Sequence, residues 1–135
     1  MKELKLKATG ESLPMVTAFI EEQLEACECS MKAQMQIDVA IDELFGNIIH
    51  YAYGEAEGDA TVRFEMDEGT RMAAITFVDQ GVPFNPLEQS EPDVTLSAEE
   101  RSIGGLGIFL VRKTMDAVEY RYEDGCNILT IRKQI

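Results

Sequence analysis

At 135 residues the chain has the length of one domain and can bury a core of its own. Twenty-five acidic against twelve basic side chains leave a net charge of −13, a surface that repels nucleic acid and anionic membrane. No apolar run approaches the roughly 20 residues that span a bilayer, and the opening MKELKLKATG lacks the apolar stretch of a secretory signal, so a cytoplasmic location is expected.

The first segment, KELKLKA, alternates Leu4 and Leu6 with lysines, the pattern of a short half-buried strand. In GESLPMVTAFIEEQLEACECS, Ser12 is expected to cap a helix with Pro14 in its first turn. Val16, Phe19, Ile20 and Leu24 fall along one face of that helix. A second helix is predicted from about Ala33 to Tyr53, with the stripe Ile37, Ala40, Ile41, Leu44, Ile48 and Tyr51. Two alternating segments follow, ATVRFEM and MAAITFVD, joined by a DEGT turn as a hairpin. From Gly81 to Ser102 the pattern dissolves into prolines, acids and small polar residues, long enough to be a lid rather than a connection. A third helix is predicted from about Leu106 to Asp116, and a second hairpin, AVEYRYE and NILTIRK, turns at Asp124-Gly125. The sum is one α/β sandwich over residues 1–135, a mostly antiparallel (mixed) sheet with helices on one face.

Cys27, Cys29 and Cys126 show no C-x-x-C spacing and His50 is the one histidine, so reduced, partly buried thiols are expected rather than a zinc site. On the second helix, with Ile37 at 0° and about 100° per residue, Glu43, Asn47 and His50 fall near 240°, 280° and 220°. They form a polar ridge beside the apolar stripe, while Asp42 lies on the opposite flank. Asn47 can be a local structural hydrogen-bonder, or with Glu43 one turn away it can supply an oxygen to Mg²⁺ beside a general base. Asp79 ends a core strand in FVDQGVPFNP, where it is either a turn residue or a reader of an exocyclic amine such as that of adenine. In ERSIGGLGIFLV, Gly104, Gly105 and Gly107 precede or open a helix whose free N–H groups favour an anion, although no P-loop lysine follows.

Taken together, E-x-x-x-N on a helix, D-x-G-x-P-F after a strand, a long lid and then G-G-L-G-I at a helix start resemble the GHKL (Bergerat-fold) ATPase superfamily. IDELFGNIIHYAYG, DQGVPFNPLE and the segment from GGLGIFLV to the end are similar to the bacterial anti-sigma-factor serine/threonine kinases within it. The resemblance implies ATP and Mg²⁺ as cofactors, with Glu43 as general base and Asn47 holding the metal. It implies Asp79 on the adenine amine, Gly81 shaping the pocket wall and Thr130 supporting it through its hydroxyl or a water. Gly104, Gly105, Leu106 and Gly107 would lie along the phosphates, Arg101 would steady the transferring group, and His50 would take a supporting phosphate or helix-face role. The lid would span about residues 87–103. The implied partners are a STAS-type anti-anti-sigma protein, a sigma factor and a second copy of the chain, with neither nucleic acid nor membrane. Two other outcomes stay open: an ATP-dependent binding module that transfers no phosphate, and a histidine-kinase catalytic domain severed from its dimerisation helices.

Overall fold

Five strands and three helices make up the computed structural model, which describes residues 1–54, 56–88 and 105–135. Arg101, Gly104 and all but the first two residues of the expected lid lie outside the described residues. In chain order the elements are β1 (Lys2–Lys7), α1 (Leu13–Ala26), α2 (Met31–Asn47), β2 (Asp59–Asp67), β3 (Met72–Asp79), α3 (Gly105–Thr114), β4 (Ala117–Glu123) and β5 (Cys126–Gln134). The sheet order is β1-β2-β3-β5-β4, and every pair is antiparallel, so the described sheet is not mixed.

The strands follow from alternation. Val62 and Phe64 on β2, Ile75 and Phe77 on β3, and Leu129 and Ile131 on β5 all point to the helical side and are buried. Residues between them face the other side, where Arg63 bonds Glu3 and Arg132 bonds Glu119 at 2.8 Å each. Both turn residues of the second hairpin are left-handed, Asp124 at φ 52° and Gly125 at φ 78°, as expected for a two-residue loop matched to strand twist. In the first hairpin Asp67 accepts from the backbone of Gly69 at 3.0 Å and Thr70 at 3.3 Å, and Arg71 takes the left-handed position at φ 60°.

Helix α1 places Val16, Ile20 and Leu24 in the core, and α2 adds Ile37, Ala40, Ile41, Leu44 and Phe45. Each fully buried aliphatic or aromatic side chain contributes about 1.5–3 kcal/mol of transfer free energy. The helix starts differ from expectation. Ser12 belongs to a short 3₁₀ turn, Gly10–Ser12, and makes no capping bond; its hydroxyl pairs with that of Thr9 at 3.2 Å. Ser30 caps α2, accepting from Ala33 N at 3.2 Å. Beyond Asn47 the α geometry opens into a π turn, Ile48–Ala52, which leaves Tyr51 53% exposed rather than in the stripe. All three cysteines are free and half-buried.

Candidate functional site

The sheet register creates the centre of the site. Pairing of β3 with β5 sets Asp79 directly across from Asn127, the last residue of one strand against the second of the other. Both lie on the helical side and both are 5% exposed, the only charged or amide side chains buried to that degree among the described residues. Asp79 Oδ1 accepts from Asn127 Nδ2 and from Gly81 N, each at 2.9 Å. Asn127 Nδ2 also donates to Val82 O at 2.8 Å, and its Oδ1 accepts from Phe84 N at 3.0 Å and from the Tyr120 hydroxyl. A buried carboxylate is costly unless its bonds are made, and here one oxygen is satisfied twice.

The π turn closes the same corner. Its last residue, Ala52, turns its carbonyl to the loop after β3 and accepts from Val82 N at 2.8 Å. Gly81 passes so close that a Cβ there would lie 2.1 Å from Ala52 O, so this position takes glycine only. Tyr53 fixes the outside of the corner, its hydroxyl donating to Asp59 O at 2.6 Å and accepting from Gln80 N at 2.8 Å. π turns are frequent at functional sites because the inserted residue re-aims backbone groups, and this one re-aims Ala52. The Tyr51 ring then packs on Phe84 with centroids 5.3 Å apart.

Helix α2 forms the opposite wall. Leu44, Asn47, Ile48 and Ala52 face Phe77, Asp79, Tyr120, Asn127 and Leu129 across a cleft with mainly apolar walls. Its apolar walls meet the polar Asp79–Asn127 pair, the combination of surfaces common in small-molecule sites. The Asn47 Nδ2 atom is buried with no hydrogen-bond partner among the described residues. One turn earlier, Glu43 is half-buried, and desolvation pushes its carboxyl above the ordinary carboxylate range. Its carboxylate rests against the second glycine of α3: a Cβ on Gly107 would lie 2.1 Å from Glu43 Oε2.

Asp79 and Asn47 thus line one cleft, Gly81 stands against Ala52 of its wall, and Glu43, one turn before Asn47, meets Gly107. Gly105 opens α3, and Leu106 beside it is 37% exposed. Two expected residues fall elsewhere. Thr130 stands three residues beyond Asn127, which by strand alternation puts it on the uncovered face of the sheet. There it bonds the Thr76 hydroxyl at 3.0 Å, and the place expected for it at Asp79 belongs to Asn127. His50 is exposed and does not line the cleft, because the π turn rotates it off the ridge that a regular helix would continue. Asn127 itself was missed, although a lone amide at an inward position of an apolar strand is a signal the sequence carries.

The family described as histidine kinase-like ATPase domain matches residues 6–133. The chain belongs to that family. Among relatives, it is 23% identical over 128 residues to the serine/threonine-protein kinase BtrW of Bordetella bronchiseptica, covering 95% of this chain and 89% of that protein. It is 30% identical over 105 residues to the serine-protein kinase RsbW of Listeria monocytogenes, covering 74% of this chain and 66% of the other. The Bacillus mycoides RsbW is 24% identical over 131 residues, 94% of this chain and 81% of that protein. Among solved structures, the histidine kinase AdeS of Acinetobacter baumannii superposes with a TM-score of 0.51 at 11% identity, over 99% of this chain and 68% of the other, a likeness of fold. The GHKL-type resemblance and the Bergerat-type sandwich expected from the sequence are thus both met.

Proposed function

We propose that this chain binds Mg-ATP in the cleft between α2 and the β3–β5 pair and transfers the γ-phosphoryl group to a serine or threonine of a small STAS-type anti-anti-sigma protein. The observation that carries the reading is the Asp79 corner: a buried carboxylate at the blind end of a slot with mainly apolar walls, with one oxygen fixed by two donors. The similarity to proteins named serine-protein kinases supports phosphoryl transfer to protein as the reaction class.

In this reading adenine enters the slot with its amino group on Asp79, and Gly81 keeps the wall thin enough for the base. Asn47 lines the cleft, and its Oδ1 would be the atom to supply one oxygen ligand to Mg²⁺. Bound there, Mg²⁺ would neutralise charge on the transferring phosphate. Glu43 takes the proton of the acceptor hydroxyl; its desolvated setting raises its basicity toward the working range. Gly104, Gly105 and Gly107 and the amide of Leu106 would line the phosphates around the start of α3, where the first N–H groups of a helix favour an anion. Arg101, outside the described residues, would steady the transferring group. A sigma factor and a second copy of the chain are the further partners proposed, and the cytoplasm is the proposed compartment. No described helix is long and apolar enough to cross a membrane.

The test is incubation of the purified chain with labelled ATP and candidate STAS-type proteins, with phosphosite mapping. Label on a serine or threonine, lost in Glu43→Ala with ATP binding kept, is the expected result. ATP binding without transfer to any cognate candidate would replace the kinase reading with that of a nucleotide-dependent binding module.

A further inference from the structure

We infer that Asn127 is the positioning residue that makes this pocket discriminate for a purine bearing a 6-amino group; the inference rests on the nucleotide reading above. A carboxamide has two N–H donors and two acceptor lone pairs, and Asn127 uses all four. Nδ2 donates to Asp79 Oδ1 at 2.9 Å and Val82 O at 2.8 Å, while Oδ1 accepts from Phe84 N at 3.0 Å and from the Tyr120 hydroxyl. Rotating the amide by half a turn would set its N–H groups against the Phe84 N–H and its oxygen against two acceptors. The group therefore has one orientation, and it is 5% exposed, away from competing water.

That orientation passes to Asp79. Two donors, Asn127 Nδ2 and Gly81 N, converge on Asp79 Oδ1 and pin the carboxylate about its χ2 axis. Oδ2 accepts no bond from the described residues, which leaves it as the acceptor offered to the cleft. An amino group on the base meets a lone pair there; a carbonyl at the same ring position meets lone pair with lone pair. Adenine is thus accepted, while hypoxanthine and guanine are refused. A hydroxyl at position 127 has one donor and could not bond Asp79 Oδ1 and Val82 O at once. The selectivity belongs to the Asn127–Asp79 pair, whereas Asp79 alone could turn and relax it.

A residue that only ties β5 to the Val82–Phe84 loop would affect all nucleotides alike, and that difference is measurable. Dissociation constants of ATP and of inosine triphosphate, which carries a carbonyl in place of the amino group, are measured by calorimetry on the full chain. Wild type is expected to favour ATP by about 10–100-fold, the value of one hydrogen bond to a charged group. In Asn127→Ala the preference should narrow about tenfold. In Asn127→Asp, the introduced carboxyl can repeat the donation to Asp79 only while it carries a proton, so the preference should shrink as pH rises from 5.5 to 8. The wild-type preference should hold over that range. Asn127→Asp keeps the shape of the side chain and decides the matter if the alanine variant does not fold. Equal weakening of both nucleotides, with the preference intact at every pH, would overturn the inference. Wild type binding neither nucleotide would instead overturn the nucleotide reading on which it rests.

Discussion

Gly107→Ala separates stability from activity. The glycine sits in the first turn of α3, where an alanine is the better helix former by about 0.5–1 kcal/mol. On backbone grounds alone the variant should melt slightly higher than wild type. Its new methyl, however, would lie 2.1 Å from Glu43 Oε2, 2.2 Å from Cδ and 2.7 Å from Oε1. Ordinary carbon–oxygen contact needs about 3.4 Å, so the carboxylate must retreat by more than about 1 Å, which its flexible stem permits. A misplacement of that size at a reacting group costs about 100-fold in rate. The assay is the phosphoryl-transfer rate at saturating ATP, with thermal melting on the same samples. A methyl at position 107 could also crowd the phosphates, so the substitution is repeated in Glu43→Gln. If it acts by displacing Glu43, it should cost little further rate in that background. A folded Gly107→Ala with wild-type transfer would refute the placement of Glu43 as the base, and a full second loss in the Glu43→Gln background would refute the proposed cause.

Gly81→Ala drives its methyl into backbone, 2.1 Å from Ala52 O, and no side chain can yield; thermal melting should show a loss of about 2–4 kcal/mol and calorimetry a matching loss of ATP binding. Glu43→Gln should abolish transfer yet leave the fold as stable or slightly more stable at neutral pH. Burial raises the Glu43 carboxyl, so the folded state holds the proton more tightly and its charged form costs stability as pH climbs; with solvent screening the gain is under about 1 kcal/mol. Asp38 offers a cleaner pH test. Burial first, then the neighbouring Glu21 and Asp42, push its carboxyl up to about 6, and its Oδ1 is buried with no hydrogen-bond partner among the described residues. The unfolded group titrates near 4, so stability should fall as pH rises from about 4 to about 6. Asp38→Asn should be more stable by about 1 kcal/mol at pH 7.5, after discounting for partial exposure, and equal to wild type below pH 4 in denaturant titrations. A pH-independent difference would contradict the account.

Much of this was legible in the chain because alternation and helical period are strong signals. MAAITFVD and AVEYRYE are β3 and β4 residue for residue, bounded by turns whose chemistry is local. The misses lie where local rules compete. Ser12 does stand at the N-cap position of α1, but it closes a 3₁₀ turn and its hydroxyl pairs with Thr9, so it makes no capping bond. His50 reads as the continuation of a ridge only while the period stays at about 3.6 residues, and the π turn ends that period at Ile48. Asn127 rather than Thr130 stands beside Asp79 for a reason of register. With Leu129 and Ile131 inward, pleating puts Asn127 inward and Thr130 outward, and pairing with β3 then brings Asn127 to Asp79. Inward facing could be inferred from one strand; the cross-strand partner could not. The Glu43–Gly107 contact is likewise invisible in sequence, since it depends on how α3 meets α2 across 63 intervening residues.

The central claim is that ATP lies in the slot with its amino group on Asp79. The direct measurement is the dissociation constant of Mg-ATP for wild type and Asp79→Asn by calorimetry. The substitution keeps the shape, and its oxygen can still accept from Gly81 N and Asn127 Nδ2. Its N–H₂ then faces the cleft, donor against donor. ATP affinity should fall by about 10–100-fold with the melting temperature nearly unchanged. Equal ATP affinity in the two proteins would contradict the account.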